Sequence, residues 1–278
     1  MKRVTLPDGT TVPALGQGTW MMAERPGNRR SEIAALQAGI ERGLTLIDTA
    51  EMYGDGASEE LVGEAIAGRR DGLFLVTKVL PSNASRAGTL KACERSLRRL
   101  RVERIDLYLL HWRGGVPLSE TVEAFETLRD AGKIARWGVS NFDVDDLEEL
   151  GEAADLNGCA TNQVLYNPEH RGIEFDLLPW QHTRHMPVMA YSPVGHGSRL
   201  LASPVLAAVA RRHDATPAQV ALAWALREGG VLAIPKAGSV AHAVENAAAA
   251  TLTLTAQDIV DIDAAFPPPR RKQPLAML

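Results

Sequence analysis

The chain has 278 residues, of which 45% are hydrophobic and 23% are charged, and its formal net charge is −4 at pH 7. This composition is typical of a soluble globular protein and excludes collagen-like, strongly disordered and disulfide-rich chains. The near balance of 30 basic and 34 acidic residues provides no broad positive field for nucleic acid or an anionic membrane. Small molecules are therefore the expected partners.

The amino-terminal segment MKRVTLPDGTTVPALG has two basic residues but no apolar run behind them, so it does not predict a signal peptide. No stretch of the sequence is apolar over a length that predicts a membrane span. Cys93 and Cys159 are the only cysteines; they are too few for a disulfide framework and form no zinc motif with the scattered histidines. We expect a cytoplasmic monomer without a bound metal.

The first element predicted along the chain is a β-hairpin, because segments 4–6 and 11–12 flank the turn sequence Pro7-Asp8-Gly9-Thr10. Short apolar runs then alternate with longer amphipathic segments. The runs predict strands at residues 14–18, 44–48, 73–78, 105–111, 135–139, 160–164, 187–191 and 231–235. The amphipathic segments predict helices at residues 30–42, 59–67, 87–99, 118–131, 144–154, 173–185, 204–212 and 217–227, with another from about Val240, and with caps at Ser31, Ser58 and Thr216.

This alternation is typical of strand–helix units around a parallel sheet. Eight units in a chain of this length match a (β/α)8 TIM barrel, for which about 250 residues is typical. An open, doubly wound sheet is the alternative, but Gly16-Gln17-Gly18-Thr19 has only the first half of its G-x-G-x-x-G motif. We therefore expect an α/β barrel, one domain over residues 1–278, with the hairpin plugging its bottom and a short proline-rich tail extended on the surface.

Polar residues close the predicted strands. Asp48, Lys78 and His111 end successive apolar runs and are 30 and 33 residues apart, which is about one strand–helix unit. Because the carboxyl ends of barrel strands share one rim, an acid, an amine and an imidazole are expected to converge there. Other strand ends carry Ser140 and Asn141, Gln163, Tyr191 and Lys236. These residues predict catalysis or binding at that rim.

The same residues lie in a series of ordered motifs. The motifs are GQGTW from Gly16, LIDTAEMYG from Leu46, GEAI from Gly63, VTK from Val76, LYLLHW from Leu107, GKIARWGVSNF from Gly132, TNQVLYN from Thr161, AYSPVG from Ala190, IPKAGS from Ile234, and Glu245-Asn246. In these motifs the chain resembles the aldo-keto reductases, NADPH-dependent oxidoreductases with a (β/α)8 fold. Within that family it is most similar to small bacterial enzymes that reduce methylglyoxal and other short aldehydes to alcohols.

The resemblance implies a catalytic tetrad of Asp48, Tyr53, Lys78 and His111. Tyr53 is the expected proton donor, and the Lys78 ammonium is expected to lower the pKa of its phenol, which is otherwise near 10. Asp48 is expected to keep Lys78 charged and oriented. His111 is expected to donate a hydrogen bond to the substrate carbonyl, while hydride moves from the nicotinamide to the carbonyl carbon.

The resemblance also implies the residues that hold NADP(H). They are Gly18, Thr19, Trp20, Asp48, Ser140, Asn141, Gln163, Tyr191, Ser192, Pro193, Gly195, Ile234, Lys236, Ala237, Gly238, Ser239, Glu245 and Asn246. Lys236 and Ser239 are expected at the 2′-phosphate, and Tyr191 on the nicotinamide ring. The chain has His242 where many family members have an arginine, so its preference for NADPH over NADH is expected to be weaker, with NADH as a poorer alternative.

The expected substrate pocket consists of Trp20, Met21, Tyr53, His111 and Trp112, and Met22 is expected beside them in an apolar mouth. Only twelve residues follow Phe266, which predicts an open site and broad specificity. Two alternatives keep the barrel but change the chemistry: a nucleotide-binding regulatory barrel without turnover, and an aldolase that forms a Schiff base at Lys78.

Overall fold

The structure is a computed structural model that describes residues 1–196 and 199–278. Two short strands, β1 (Arg3–Thr5) and β2 (Thr11–Pro13), form the predicted antiparallel hairpin. The eight predicted barrel strands are all present as β3 (Gln17–Gly18), β4 (Leu46–Asp48), β5 (Phe74–Val79), β6 (Leu107–Leu110), β7 (Trp137–Ser140), β8 (Cys159–Leu165), β9 (Val188–Tyr191) and β10 (Val231–Ile234). They are parallel and lie side by side in chain order.

The sheet closes on itself between its first and last strands. Isolated bridges join Leu15 to Ala233 and Gly18 to Lys236, and the Gly18 N–H donates to the Pro235 carbonyl. A β-carbon at Gly18 would lie 2.6 Å from the Ile234 carbonyl oxygen, so only glycine permits this approach. The predicted (β/α)8 barrel is confirmed, and the open sheet is excluded.

Helices surround the barrel. In the described ranges they are α1 (Arg29–Ile40), α2 (Ala57–Ala65), α3 (Arg86–Leu100), α4 (Leu118–Asp130), α5 (Val144–Ala153), α6 (Leu177–His182), α7 (Pro204–Arg212), α8 (Pro217–Ala225), α9 (Val240–Ala248) and α10 (Ala256–Ala265). Helix α10 was not predicted, although Thr255 and Asp258 form a capping box at its start. None of the helices in this part of the chain is long and apolar enough to cross a membrane.

The predicted helix at 173–185 is wrong in extent. A 3-10 turn at Gly172–Glu174 comes first, and α6 begins only at Leu177, where the Asp176 side chain accepts a hydrogen bond from the Leu177 N–H. That side-chain bond starts a new helix instead of continuing the turn. His185 lies beyond the helix with a left-handed backbone, so it does not share a helical face with His182.

The predicted caps have mixed outcomes. Thr216 caps α8 and forms a capping box with Gln219. Ser31 and Ser58 lie inside α1 and α2, and neither is a cap. The Ser58 side chain is fully buried, and its hydroxyl bonds the Thr19 side chain at 2.8 Å. The tertiary contact with the loop after β3 therefore uses the hydroxyl that the sequence pattern assigned to a cap.

The hairpin closes the amino-terminal end of the barrel, as predicted. Val4, Leu6 and Val12 are buried in the same apolar cluster as Leu15 and Leu107 from the barrel. The hairpin turn is attached by an ion pair between Asp8 Oδ2 and Arg136 Nε at 2.5 Å. The carboxyl ends of the strands thus remain as the open face.

Candidate active site

The open face contains a cavity of about 490 Å³. Most of the predicted site residues line it: Gly18, Trp20, Met21, Asp48, Tyr53, His111, Trp112, Ser140, Asn141, Gln163, Tyr191, Ser192, Pro193, Gly195, Ile234 and Lys236. Of the residues that the structure describes, five more line it that the sequence did not single out: Met52, Val194, His196, Met277 and Leu278. Seven of the eight barrel strands thus contribute lining residues at or near their carboxyl ends, in agreement with the geometry of a barrel.

Three members of the predicted tetrad form one hydrogen-bonded cluster. Lys78 Nζ donates to Asp48 Oδ2 at 2.8 Å, to the Thr49 carbonyl at 2.9 Å and to the Tyr53 hydroxyl at 3.1 Å. Lys78 is completely buried, and its ammonium also lies 4.8 Å from the centre of the Tyr53 ring. The cluster places a positive charge directly behind the phenol.

A tight turn places Tyr53 over Lys78. Tyr53 starts a 3-10 turn at Tyr53–Gly56, in which Gly54, Asp55 and Gly56 have φ values of 56°, 52° and 91°. Glycine adopts such values without steric cost, which allows the chain to reverse within a few residues of β4. Asp48, at the end of β4, and Tyr53 therefore both reach Lys78, which projects from β5.

Glu51 attaches this turn to the loop after β5. Its carboxylate is buried and accepts hydrogen bonds from the Leu80 N–H and the Asn83 side chain, both at 2.9 Å. Its second oxygen pairs with Arg95 Nη2 of α3 at 3.1 Å. Glu51 lies inside the LIDTAEMYG motif, but sequence reasoning missed it because only the fold shows what its side chain contacts.

The electrostatics of the cluster keep Lys78 charged and Tyr53 protonated. Burial alone would lower the pKa of Lys78, but the Asp48 carboxylate and the Tyr53 phenol outweigh it and raise that pKa. Burial raises the pKa of Tyr53, and although Lys78 opposes this effect, the net shift is upward. The Lys78 ammonium thus acts on the Tyr53 pKa in the expected direction, but desolvation of the phenolate exceeds its attraction and keeps that pKa above its ordinary value.

His111 is a neutral imidazole at the edge of the cluster. Its ring centre lies 5.8 Å from that of Tyr53 in an edge-to-face arrangement. Burial, assisted by the nearby Lys78 charge, lowers the pKa of His111 to about 3. Its Nδ1 is buried without a hydrogen-bond partner, so a proton on Nε2 leaves no buried ring N–H unpaired. Nε2 is then the donor available to a molecule in the cavity.

Polar side chains from β7, β8 and β9 line the wall beside this cluster. The Gln163 Nε2 donates to Asp48 Oδ1 at 2.8 Å. Asn141 Nδ2 donates to the His111 carbonyl at 3.1 Å, and its Oδ1 accepts from the Tyr191 hydroxyl at 3.0 Å. Amides and hydroxyls beside one flat aromatic ring are the donor set that a nicotinamide carboxamide requires, so these residues fit the expected cofactor.

The backbone around the cavity adopts conformations that are uncommon for residues with a side chain. Met21, Asn141 and Ser192 have φ values of 62°, 58° and 46°, and each lies shortly after a strand end and lines the cavity. Such conformations cost about 1–3 kcal/mol each and are often retained at ligand sites. The strained backbone at Met21, Asn141 and Ser192 therefore lies in the part of the cavity that is expected to bind the cofactor and the substrate.

The remaining predicted site residues lie outside the cavity lining. Thr19 and Met22 are fully buried, and Met22 packs in the main apolar core; the placement of Met22 in the mouth is therefore wrong. Met22 comes directly after Met21. The left-handed backbone at Met21 turns the chain, so the Met22 side chain points toward the core. Ala237, Gly238, Ser239, Glu245 and Asn246 lie at the start of α9 or on it, away from the lining.

Two of these outer residues also have structural contacts. The Ser239 hydroxyl caps α9 by accepting from the His242 N–H at 3.3 Å, and Glu245 Oε1 accepts from the Thr216 hydroxyl at 2.5 Å. The Lys236 ammonium lies close to Gly238, 3.0 Å from the position that a β-carbon would take. Lys236 and the start of α9 therefore form a positive corner at the end of the cavity, where an anion is favoured.

The geometry also bears on the aldolase alternative and on possible metal ligands. Lys78 has no exposed surface and three hydrogen-bond acceptors, so its nitrogen is not free to attack a carbonyl, which argues against the aldolase. Among residues 1–196 and 199–278, no three histidine, cysteine or acidic side chains lie together as a metal site requires.

Comparison with known proteins decides the family. A model of the aldo/keto reductase family matches residues 14–266. The chain belongs to the aldo/keto reductases. It is 50% identical over 281 aligned positions to methylglyoxal reductase YeaE of Escherichia coli (strain K12), covering 100% of this chain and 99% of that protein. Glyoxal reductase of Bacillus subtilis (strain 168) is 36% identical, covering 94% of this chain and 91% of that protein.

Solved structures of the family superpose on the whole chain. An aldo/keto reductase from Klebsiella pneumoniae in complex with NADP and acetate has a TM-score of 0.97 and 51% identity, and covers 100% of this chain and 99% of that one. A second Klebsiella pneumoniae structure, in complex with NADPH, has a TM-score of 0.96 and 50% identity, with complete coverage of both chains. Family membership, the barrel fold and the oxidoreductase class are therefore established for this chain.

Proposed function

We propose that this aldo/keto reductase uses NADPH to reduce small aldehydes, methylglyoxal among them, to alcohols. The observation that carries the proposal is the contact of the buried Lys78 ammonium with both Asp48 and the Tyr53 hydroxyl at the floor of the cavity. The similarity to a methylglyoxal reductase and to NADP-bound relatives supports the substrate class and the cofactor.

Tyr53 acts as the general acid in this proposal. A nicotinamide held by these residues would supply the hydride to the carbonyl carbon. Because burial raises its pKa, Tyr53 holds its proton at neutral pH, and it releases that proton to the carbonyl oxygen as negative charge develops there. The Lys78 ammonium, 3.1 Å away, stabilises the phenolate that remains.

Asp48 and His111 hold the reacting groups in place. Asp48 pairs with Lys78 and accepts from Gln163, so it orients the ammonium and links it to the wall that would hold the carboxamide. The neutral His111 donates a hydrogen bond to the carbonyl oxygen, which fixes the substrate relative to Tyr53. Lys78 and Asp48 are buried, so the side of the Tyr53 hydroxyl that faces Lys78 is shielded from water.

The cofactor residues keep the roles that the resemblance implies. Ser140, Asn141 and Gln163 would hold the carboxamide, Tyr191 would stack on the ring, and Ser192, Pro193 and Gly195 would lie along the pyrophosphate. Lys236, with Ser239 at the start of α9, would bind the 2′-phosphate. His242 is exposed and adds no permanent positive charge there, so we propose NADPH as the preferred cofactor and NADH as a weaker one.

The decisive experiment measures the loss of reduced-nicotinamide absorbance when the protein meets methylglyoxal, with NADPH and NADH in parallel. The proposal expects consumption of NADPH that is faster than consumption of NADH. The matched control is Tyr53→Phe, a variant that lacks one oxygen; it should bind NADPH but consume it at least about a thousandfold more slowly. Tight NADPH binding without consumption of any aldehyde would instead favour the nucleotide-binding barrel without turnover.

We further propose that one copy of the chain, as a single domain in the cytoplasm, is sufficient for the reaction. All four tetrad residues and the cavity lining come from one barrel, so the site needs no residue from a second copy. Size-exclusion chromatography with light scattering, run beside the activity assay, tests this; activity confined to a dimer fraction would contradict it.

A further inference from the structure

We propose that Met21, Met52 and Met277 form an oxidation site at the entrance of the cavity, and that their conversion to sulfoxides weakens binding of aldehydes with apolar tails. We call these three residues the methionine rim. This proposal rests on the proposed function for its effect on substrates, whereas the site of oxidation stands without it. The rim combines residues from the loops after β3 and β4 with the penultimate residue of the chain.

The methionines fall into an exposed group and a buried group. The chain has seven. The three rim side chains are exposed by 45%, 43% and 51%, whereas Met22, Met186 and Met189 are exposed by 3% or less. The fourth exposed methionine, Met1 at 46%, does not line the cavity. A dissolved oxidant therefore reaches the rim and the amino terminus, and it does not reach the core sulfurs.

The rim lies where an aldehyde tail must pass. All three side chains line the same cavity as Tyr53 and His111, and Trp20 and Trp112 line it too. Thioethers are flexible and polarisable, so they adapt to apolar tails of different shape. None of the three side chains hydrogen-bonds to Lys78, Asp48 or Tyr53, so a change in their polarity acts on substrate binding and not on the proton donor.

The chemical step needs only a hydroperoxide as oxidant. The sulfur attacks the distal, hydrogen-bearing oxygen of the peroxide, so that an S–O bond forms and the O–O bond breaks. The proton of the attacked oxygen passes to the leaving oxygen, which departs as water or an alcohol. The sulfur is oxidised by two electrons and the peroxide is reduced. The product is a polar, chiral sulfoxide. Up to three such dipoles would then replace apolar contacts along the path of the substrate tail.

The test treats the NADPH-free protein with hydrogen peroxide and follows each methionine by peptide mass spectrometry. Met1 serves as the exposed control outside the cavity, and Met22, Met186 and Met189 serve as buried controls. We expect the rim peptides and Met1 to gain one oxygen well before the buried three. Rim methionines that oxidise no faster than the buried ones would overturn the proposal.

The functional arm compares each protein with itself before and after peroxide. We expect oxidation to raise the KM for an aldehyde with an apolar tail, such as phenylacetaldehyde, by roughly fivefold, which corresponds to about one lost apolar contact. The KM for methylglyoxal and both kcat values should change less than twofold. In Met21→Leu/Met52→Leu/Met277→Leu, peroxide should leave the KM at that variant's own starting value.

Repair supplies a second arm. Methionine sulfoxide reductase with a thiol reductant should restore the original KM in the wild-type protein. Rim sulfoxides that leave the KM of the apolar aldehyde unchanged would overturn the functional part. If the untreated protein turns over no aldehyde, the proposed function fails instead, and the affinity of an apolar fluorescent dye for the cavity before and after oxidation then decides whether the rim becomes polar.

Discussion

The two ends of the barrel use the same strands in opposite ways. At the amino-terminal end, Val4, Leu6 and Val12 of the hairpin cover an apolar cluster. At the carboxyl end, a lysine and an aspartate are buried together behind a tyrosine. Burial of apolar side chains stabilises the fold, whereas a buried ion pair contributes little net stability because desolvation offsets its attraction. The polar end is therefore explained by chemistry and not by stability.

The backbone shows the same division. Among residues 1–196 and 199–278, eight non-glycine residues have left-handed φ, and five of them follow the carboxyl ends of strands: Met21, Ala23, Asp55, Asn141 and Ser192. The other three, Arg101, His185 and Asp214, lie just after helix ends, where this conformation is ordinary. The described loops that lead into the strands contain none except those helix ends. Strain is thus concentrated where the ligand is expected.

The largest expected effect is the loss of the proton donor. Tyr53→Phe should lower kcat by about a thousandfold or more, because general acid catalysis contributes on this order. The thermal midpoint and the affinity for NADPH should change little, since the ring and its packing remain. Steady-state kinetics, calorimetry and NADPH titration check these three quantities; retention of near-normal turnover would remove Tyr53 from its role.

A substitution at the amino-terminal end of the barrel should lower stability and leave catalysis nearly unchanged. Leu6→Ala removes a side chain that is 2% exposed in the hairpin core, and it should lower the free energy of unfolding by about 2–5 kcal/mol. Because the hairpin lies at the end of the barrel opposite the active-site cavity, kcat at 25 °C should stay within about twofold of the wild-type value. Urea denaturation and kinetics on the same preparation test it, and a large fall in kcat would show that the ends are coupled.

The pH dependence of stability should report on His111. Its pKa in the folded protein is about 3, below the ordinary value near 6.5, so between these values the unfolded chain binds the extra proton. Stability from this group is complete above pH 6.5 and is lost as the pH falls, by about 2 kcal/mol at pH 5. His111→Gln should lack this loss in denaturation curves at pH 7 and pH 5; parallel pH dependences in the two proteins would contradict the shift.

The smallest expected effect concerns cofactor choice. His242→Arg places a permanent charge at the start of α9, near Ser239, and it should raise the ratio of kcat/KM for NADPH over NADH by about fivefold. The gain should appear in KM for NADPH and leave kcat unchanged. His242→Gln is the neutral control. An equal improvement with both cofactors would mean that the residue does not face the 2′-phosphate.

Many features of this protein could be predicted from local patterns in the sequence. Hydrophobic periodicity predicted all eight barrel strands, and the polar residues after them predicted the rim, because strand direction and side-chain alternation are local properties. The motif pattern supplied Tyr53, which no periodicity would have found. The helix at 173–185 and α10 were missed or misplaced because short capping signals compete weakly with apolar spacing.

Tertiary structure decided the remainder. The complete burial of Lys78 and the upward shift in the Tyr53 pKa depend on desolvation by residues far apart in sequence. Of two adjacent methionines, Met21 faces the cavity and Met22 the core, a choice made by one left-handed residue. The end of the tail reaches the cavity wall through Met277 and Leu278. Sequence determines which groups exist and which strand carries them, but only packing determines how much water each one keeps.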